Sequence, residues 1–333
     1  MSHRLCWFLV LLASLLAGNS GAAQKRKRTM DSFLRGICYT SHSAGSQSSK
    51  EILGWVKENR INLVAIDFFA VAFSYDYTNF SNIARLMKRL RKNGVTVLAD
   101  YRPSTSPPGK SHRAEAPDLC LSNPEVRSNI TGWGLHILEK CPEIDILTVY
   151  NPLPAFERNK DCASCKKAGP DALLEGFFEE WSEAIRKKHR KVKLGAVFPA
   201  NAGTYRRLAP YLDVFVPFCS LIAGRGRTEC GPGVMKAMAR QMKPVRKLRP
   251  VIPLVKLYWK QATRNSTADI LHAMDEARSE KLGGFFLWYR SLLTGEVAKA
   301  TRYELPDYDL DAICDKYREL GGERKRKPNY RRF

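Results

Sequence analysis

Eight short runs rich in β-branched and aromatic residues, each separated from the next by a helical pattern, constrain this chain more than any other feature. They are 35–40 (RGICYT), 62–68 (NLVAIDF), 95–101 (VTVLADY), 144–150 (IDILTVY), 192–198 (VKLGAVF), 212–218 (LDVFVPF), 251–258 (VIPLVKLY) and 283–289 (GGFFLWY). A helix between consecutive strands is a crossover connection, so the strands should run parallel. Eight such units close a (β/α)8 TIM barrel. The helical segments have readable ends. Ser49 precedes KEILGWVKENR, a second pattern runs over 79–91 and stops at Asn93-Gly94, and a third covers 124–140. The longest starts at Pro170 with acids early and bases late, as a helix dipole prefers. Shorter ones follow at 203–210, 233–248 and 266–281, and the last, 310–320, ends at Gly321-Gly322. No Pro/Gly/Ser linker divides the series, which gives one barrel domain over 33–320.

The flanks differ in kind. Arg4, the apolar run Cys6 to Ala17 broken only by Ser14, and the small residues Ala22 and Ala23 have the three-part layout of an export signal over 1–23. Twelve apolar residues are too few to span a bilayer, and no later stretch is longer, so a secreted or periplasmic protein without stable membrane insertion is expected. Residues 24–32 form a basic arm with KRKR at 25–28, and 321–333 form a basic tail with RKRK at 324–327. The whole chain carries 55 Lys and Arg against 33 Asp and Glu, a net charge of +22. Such a field suits an anionic partner: an acidic polysaccharide, a membrane surface or nucleic acid. No zinc-finger spacing, RNP aromatic motif or basic heptad singles out nucleic acid.

After loss of Cys6 with the signal, Cys38, Cys120, Cys141, Cys162, Cys165, Cys219, Cys230 and Cys314 remain, an even set compatible with disulfides after export. Cys162-Ala-Ser-Cys165 is half of a zinc-binding pattern, but no second CxxC or paired histidines complete it, so no metal is assigned. There is no GxGxxG and no phosphate-cradling loop, hence no nucleotide or flavin cofactor. Sequons occur at Asn79, Asn129 and Asn265.

In barrels of this kind the strand-to-helix loops carry the site, and here the loops 102–123, 151–169 and 219–232 are long. Period-two alternation then assigns faces. With Val64, Ile66 and Phe68 outward, Asp67 points inward; with Val95, Val97 and Ala99 outward, Asp100 and Arg102 point inward. The same parity turns Thr148, Tyr150, Lys256, Tyr258, Trp288 and Arg290 inward near the C-terminal ends of their strands. The candidate site thus holds two carboxylates on adjacent strands, aromatic faces and several cations. Repulsion between Asp67 and Asp100 would raise one pKa and keep that group protonated. An internal salt-bridge network is the structural alternative.

The strand series, the sequence GGFFLWYRS at the eighth strand and the export signal resemble the (β/α)8-barrel glycoside hydrolases, in particular uncharacterised glycoside-hydrolase-like secreted barrels. The resemblance implies two carboxyl groups, about 5 Å apart for retention or roughly 6.5–9.5 Å for inversion. Asp67 and Asp100 meet the shorter spacing, and Glu157 on the fourth loop offers the longer one. Tyr150, Asn151, Tyr258 and Trp288 would hold sugar rings, while Arg102, Lys256 and Arg290 would pair with acidic substituents. The sequence departs from the largest such clan, in which strand 4 ends in Asn-Glu and strand 7 in Glu. Here the fourth run ends Tyr150-Asn151-Pro152 and the seventh Lys256-Leu257-Tyr258-Trp259. A catalytically inactive carbohydrate-binding barrel is therefore the alternative, and Lys256 leaves room for Schiff-base chemistry.

Overall fold

Side-chain alternation within each run separates an inner from an outer layer, and a computed structural model shows how the two are filled. It describes residues 33–68, 78–102, 120–150, 163–218, 232–256, 258–259, 263–264, 266–288 and 308–322. The elements in order are β1 (Leu34–Thr40), α1 (Ser41–Ser46), α2 (Ser49–Glu58), β2 (Leu63–Asp67), α3 (Phe80–Lys92), β3 (Thr96–Tyr101), α4 (Pro124–Lys140) and β4 (Ile146–Tyr150). Then come α5 (Ala163–Ala168), α6 (Pro170–Lys188), β5 (Lys193–Pro199), α7 (Ala202–Leu208), β6 (Val214–Phe218), α8 (Val234–Met242) and β7 (Leu254–Lys256). The chain finishes with β8 (Tyr258–Trp259), β9 (Thr263–Arg264), α9 (Thr267–Ser279), β10 (Gly284–Trp288) and α10 (Leu310–Leu320). All strands but β8 and β9 join a closed barrel in the order β1-β10-β7-β6-β5-β4-β3-β2, and every pairing in it is parallel.

The outward set, among it Val64, Ile66, Val97, Leu147 and Phe285, packs with helix residues such as Leu86, Ile137, Trp181 and Met274 in one continuous apolar layer. Leu63, Ala65, Leu98, Ile146, Val214 and Phe286 are as deeply buried but lie outside that layer, inside the barrel. Glycine makes the interior fit. A Cβ on Gly36 would lie 2.5 Å from Phe286 Cβ and 2.7 Å from Leu63 Cδ2.

Two differences from the sequence reading have physical causes. The seventh run was expected over 251–258, but Pro250 and Pro253 lack the N–H that a ladder needs, and the strand proper is only Leu254–Lys256. Tyr258 lies beyond it, paired antiparallel with Arg264 in a separate two-stranded sheet rather than in the barrel wall. The helix expected over 233–248 is α-helical only to Met242, and turns follow. Helices α1 and α5 were not anticipated.

A repeated device closes the N-terminal end. The residue just before β2, β4 and β6 is Asn62, Asp145 and Asp213, and each side chain accepts a backbone N–H at the start of a neighbouring strand. These bonds are Arg35 N to Asn62 Oδ1 at 2.6 Å, Val97 N to Asp145 Oδ2 at 3.0 Å and Leu194 N to Asp213 Oδ2 at 2.9 Å. Barrel-end donors that have no strand partner are thereby satisfied.

Because the interior is filled around it, Gly36→Ala should destabilise the fold by about 1–3 kcal/mol through overpacking. Gly54→Ala, in α2 with nothing within 4 Å of the new methyl group, should instead stabilise by about 0.5–1 kcal/mol. Urea midpoints of the two variants check both signs; a neutral Gly36→Ala would contradict the packing.

Candidate functional site

Adjacent strands β2 and β3 carry one carboxyl each at the same level. Asp67 and Asp100 are Cα partners in the parallel register, both near the C-terminal ends of their strands, and both are on the inner parity. Neighbouring strands lie about 4.8 Å apart, which sets the scale of their separation. Only 1% of Asp67 and 2% of Asp100 is exposed.

Each carboxyl has a distinct partner. Thr148 on β4, the Cα partner of Asp100, holds its Oγ1 2.6 Å from Asp100 Oδ1. The indole of Trp288, at the end of β10, donates from Nε1 to Asp67 Oδ2 at 3.3 Å, spanning β1, which lies between the two strands. Burial raises the pKa of Asp100 well above the usual carboxylate range, and the charge of Asp67 pushes it further up. The Thr148 hydroxyl and the Arg102 guanidinium oppose the shift. Thr148 Oγ1 donates to Asp100 Oδ1 and also lies 3.3 Å from the Ala99 carbonyl oxygen.

Beside the carboxyls lies an aromatic layer. Tyr150 stacks on Trp288 with ring centroids 5.5 Å apart and on Phe218 at 6.0 Å. The Arg102 guanidinium carbon sits 4.7 Å from the Tyr150 centroid and 5.8 Å from that of Trp288, within cation–π range. Asp67, Asp100, Arg102, Tyr150 and Trp288 are therefore brought together. Lys256 is the Cα partner of Trp288 at the end of β7. Only the backbones of Lys256 and Tyr258 are described, and Glu157, Asn151 and Arg290 lie outside the described residues.

Two further residues belong to this constellation. Phe218 extends the aromatic layer; its run, VFVPF, is apolar on both faces, so alternation gave it no direction. Cys38, on the inner parity of β1, lies below the carboxyls, and its thiol pKa is raised by burial and then by the charges of Asp67 and Asp100. Applying the same parity to the first run would have found it. At the rim, Cys120 Sγ lies 3.2 Å from Cys165 Sγ of α5 and 2.8 Å from Ser122 Oγ. Among the described residues no group of three or more metal-capable side chains is gathered, and no helix is long and apolar enough to cross a membrane.

Comparison with family models finds no match, and comparison with curated proteins finds none. Solved structures do match. An exo-β-1,4-mannosidase, Op5Man5 from Opitutaceae bacterium strain TAV5, superposes with a TM-score of 0.58 at 14% identity over 87% of this chain and 59% of its own. Active domain 2 of a thermostable chitinase from Pyrococcus furiosus, complexed with chito-oligosaccharides, gives 0.54 at 13% identity over 86% and 94%. A calcium-binding mutant of Bacteroides uniformis beta-glucuronidase 2 gives 0.54 at 13% identity over 77% of this chain, which spans only 30% of that enzyme's length. At such identities the likeness is one of fold, and it agrees with the barrel resemblance read from the sequence.

Protonation of Asp100 has a thermodynamic signature. Its folded pKa lies above the unfolded value, so folding retains a proton in that window and stability falls as pH rises from about 4 toward the folded pKa. Asp100→Asn removes the titration. The variant's stability minus that of the wild type should therefore grow with pH from about 4 upward, by at most about 1.4 kcal/mol per pH unit. Urea unfolding across a pH series reads this directly; a flat or shrinking difference would mean that Asp100 is ionised in the fold.

Proposed function

We propose that this barrel is a secreted, glycoside-hydrolase-like enzyme that acts on a carbohydrate at the C-terminal mouth. The observation that carries the reading is the in-register Asp67–Asp100 pair at the strand ends, where burial and the charge of Asp67 raise the Asp100 pKa well above the usual carboxylate range. In this reading Asp100 hands its proton to the glycosidic oxygen, and Asp67, oriented by Trp288, carries the negative charge as nucleophile or base. Adjacent-strand spacing of about 4.8 Å fits the short separation of retaining enzymes. Glu157, on the fourth loop, is the alternative acid for the longer spacing.

Tyr150 and Trp288 supply flat faces for sugar rings, with Asn151 and Tyr258 as further contacts. Arg102, with Lys256 and Arg290, would favour a substrate bearing carboxylate or sulfate groups. Three barrels of the same fold are named for acting on carbohydrates, which supports the substrate class. The leader pattern of Arg4 and Cys6–Ala17 supports export. Cys120 and Cys165 are free thiols with sulfurs 3.2 Å apart, and an oxidising compartment would favour a disulfide between them.

One observation favours a second reading, a barrel that binds carbohydrate without cleaving it. Both carboxyls are almost wholly buried, so hydrolysis requires whatever covers them to part. A panel of neutral and uronate-containing oligosaccharides, assayed for new reducing ends and in parallel for binding, separates the two. Hydrolysis predicts turnover in the wild type and a loss of about 100-fold or more in Asp67→Asn and in Asp100→Asn. Binding without product, unchanged in both variants, would establish the second reading.

A further inference from the structure

Basic residues gather at the N-terminal end of the barrel. Most of the longer helices carry basic residues in their last turn, among them Lys57, Arg89, Lys140, Arg186, Arg240 and Arg318. In a (β/α)8 barrel those turns all lie at the N-terminal end of the strands. In two sectors acids at the strand starts answer bases near the helix ends. Arg91 pairs with Asp145 at 3.0 Å and with Glu143 at 2.9 Å, and Arg186 with Asp213 at 3.3 Å. The acids concerned include two of the side chains that close the strand ends.

The last sector lacks that device. The residue before β10, in the place taken elsewhere by Asn62, Asp145 and Asp213, is Gly283. A cleft of about 440 Å³ opens there, lined by Arg246, Lys247, Leu248, Arg249, Lys281 and the short backbone segments around Pro250 and Gly283. No carboxylate lines it. The guanidiniums are oriented by backbone carbonyls, Arg246 Nη1 to Glu280 O at 2.9 Å and Arg249 Nε to Leu212 O at 2.6 Å. A carbonyl fixes direction without cancelling charge. Arg246, Lys247, Arg249 and Lys281 make no ion pair among the described residues.

We propose that this cleft is a second binding site, for a chain of carboxylated or sulfated sugars, at the opposite end of the barrel from the mouth. Oriented guanidiniums present paired N–H groups that match carboxylate and sulfate oxygens, and two exposed lysines add charge beside them. The lining has no aromatic ring, so it offers no platform for stacking nucleic-acid bases or uncharged sugars. It is a cleft with one prominent apolar side chain, Leu248 at 46% exposure, which fits a chain laid into it better than a flat lipid surface. The proposal does not depend on hydrolysis at the mouth, because it concerns binding alone.

The test measures dissociation constants of the full protein for heparin, polygalacturonate and dextran at about 0.15 M salt. Lys247→Glu/Lys281→Asn is compared with Lys50→Glu/Lys88→Asn, which changes net charge equally at exposed positions elsewhere. The cleft variant should bind heparin and polygalacturonate about tenfold or more weakly, the control within about threefold of wild type, and dextran should not bind. Thermal midpoints confirm that both variants fold. Equal losses in the two variants would assign the affinity to the general field and overturn the proposal. Tighter binding to duplex DNA or to phosphatidylglycerol vesicles than to either polysaccharide would overturn the ligand class. Absence of turnover at the mouth moves none of these readings.

Discussion

Two carboxyl groups on adjacent strands, sealed inside a packed barrel, cannot both stay charged without a strong counter-charge. Asp67 and Asp100 are in that position, and much of what surrounds them follows from it. Thr148 offers a hydroxyl that serves a neutral or an ionised Asp100 equally well, since it can accept or donate. Trp288 has only a donor to give, and gives it to Asp67. Arg102 supplies a positive charge but lies against the Tyr150 and Trp288 rings. The aromatic rings thus hold the cation close enough for its charge to oppose the rise in the Asp100 pKa.

The other end of the barrel is organised by a different need. Strand starts leave backbone N–H groups that the ladder does not reach, and Asn62, Asp145 and Asp213 accept them. The two aspartates then serve as counter-ions for Arg91 and Arg186. Helix ends place bases there because the dipole favours them. Where the acceptor is replaced by Gly283, the bases are left to solvent or to a ligand. The same local chemistry therefore explains both the closure of the strand starts and the cleft beside Gly283.

Much of the architecture was legible because parallel strands buried on both faces read as compact apolar runs between turn signals. The outlines of 62–68, 95–101 and 212–218 differ from β2, β3 and β6 by no more than two residues at either end. Parity was legible where one face was polar, as at Asp67 and Asp100. It failed to inform where both faces are apolar, as in VFVPF, so the stacking of Phe218 on Tyr150 was not foreseen. The end of the seventh strand was misread because alternation continues through LVKLYW although the backbone pairing changes after Lys256. Helix α1, SHSAGS, carries no amphipathic signal; Thr40 caps it, its Oγ1 accepting from Ser43 N, and it buries Ala44. Such short polar helices are set by their caps and packing rather than by periodicity.

The account rests on a carboxylic acid that keeps its proton inside the barrel, and carbon NMR of protein labelled at aspartate Cγ observes that proton most directly. With Asp100→Asn to assign the resonance, the Asp100 signal should titrate well above the ordinary aspartate range. Should the signals of both Asp67 and Asp100 titrate together near the ordinary aspartate value of about 4, the pair would be ionised and solvated, and the chemistry assigned to it would be wrong.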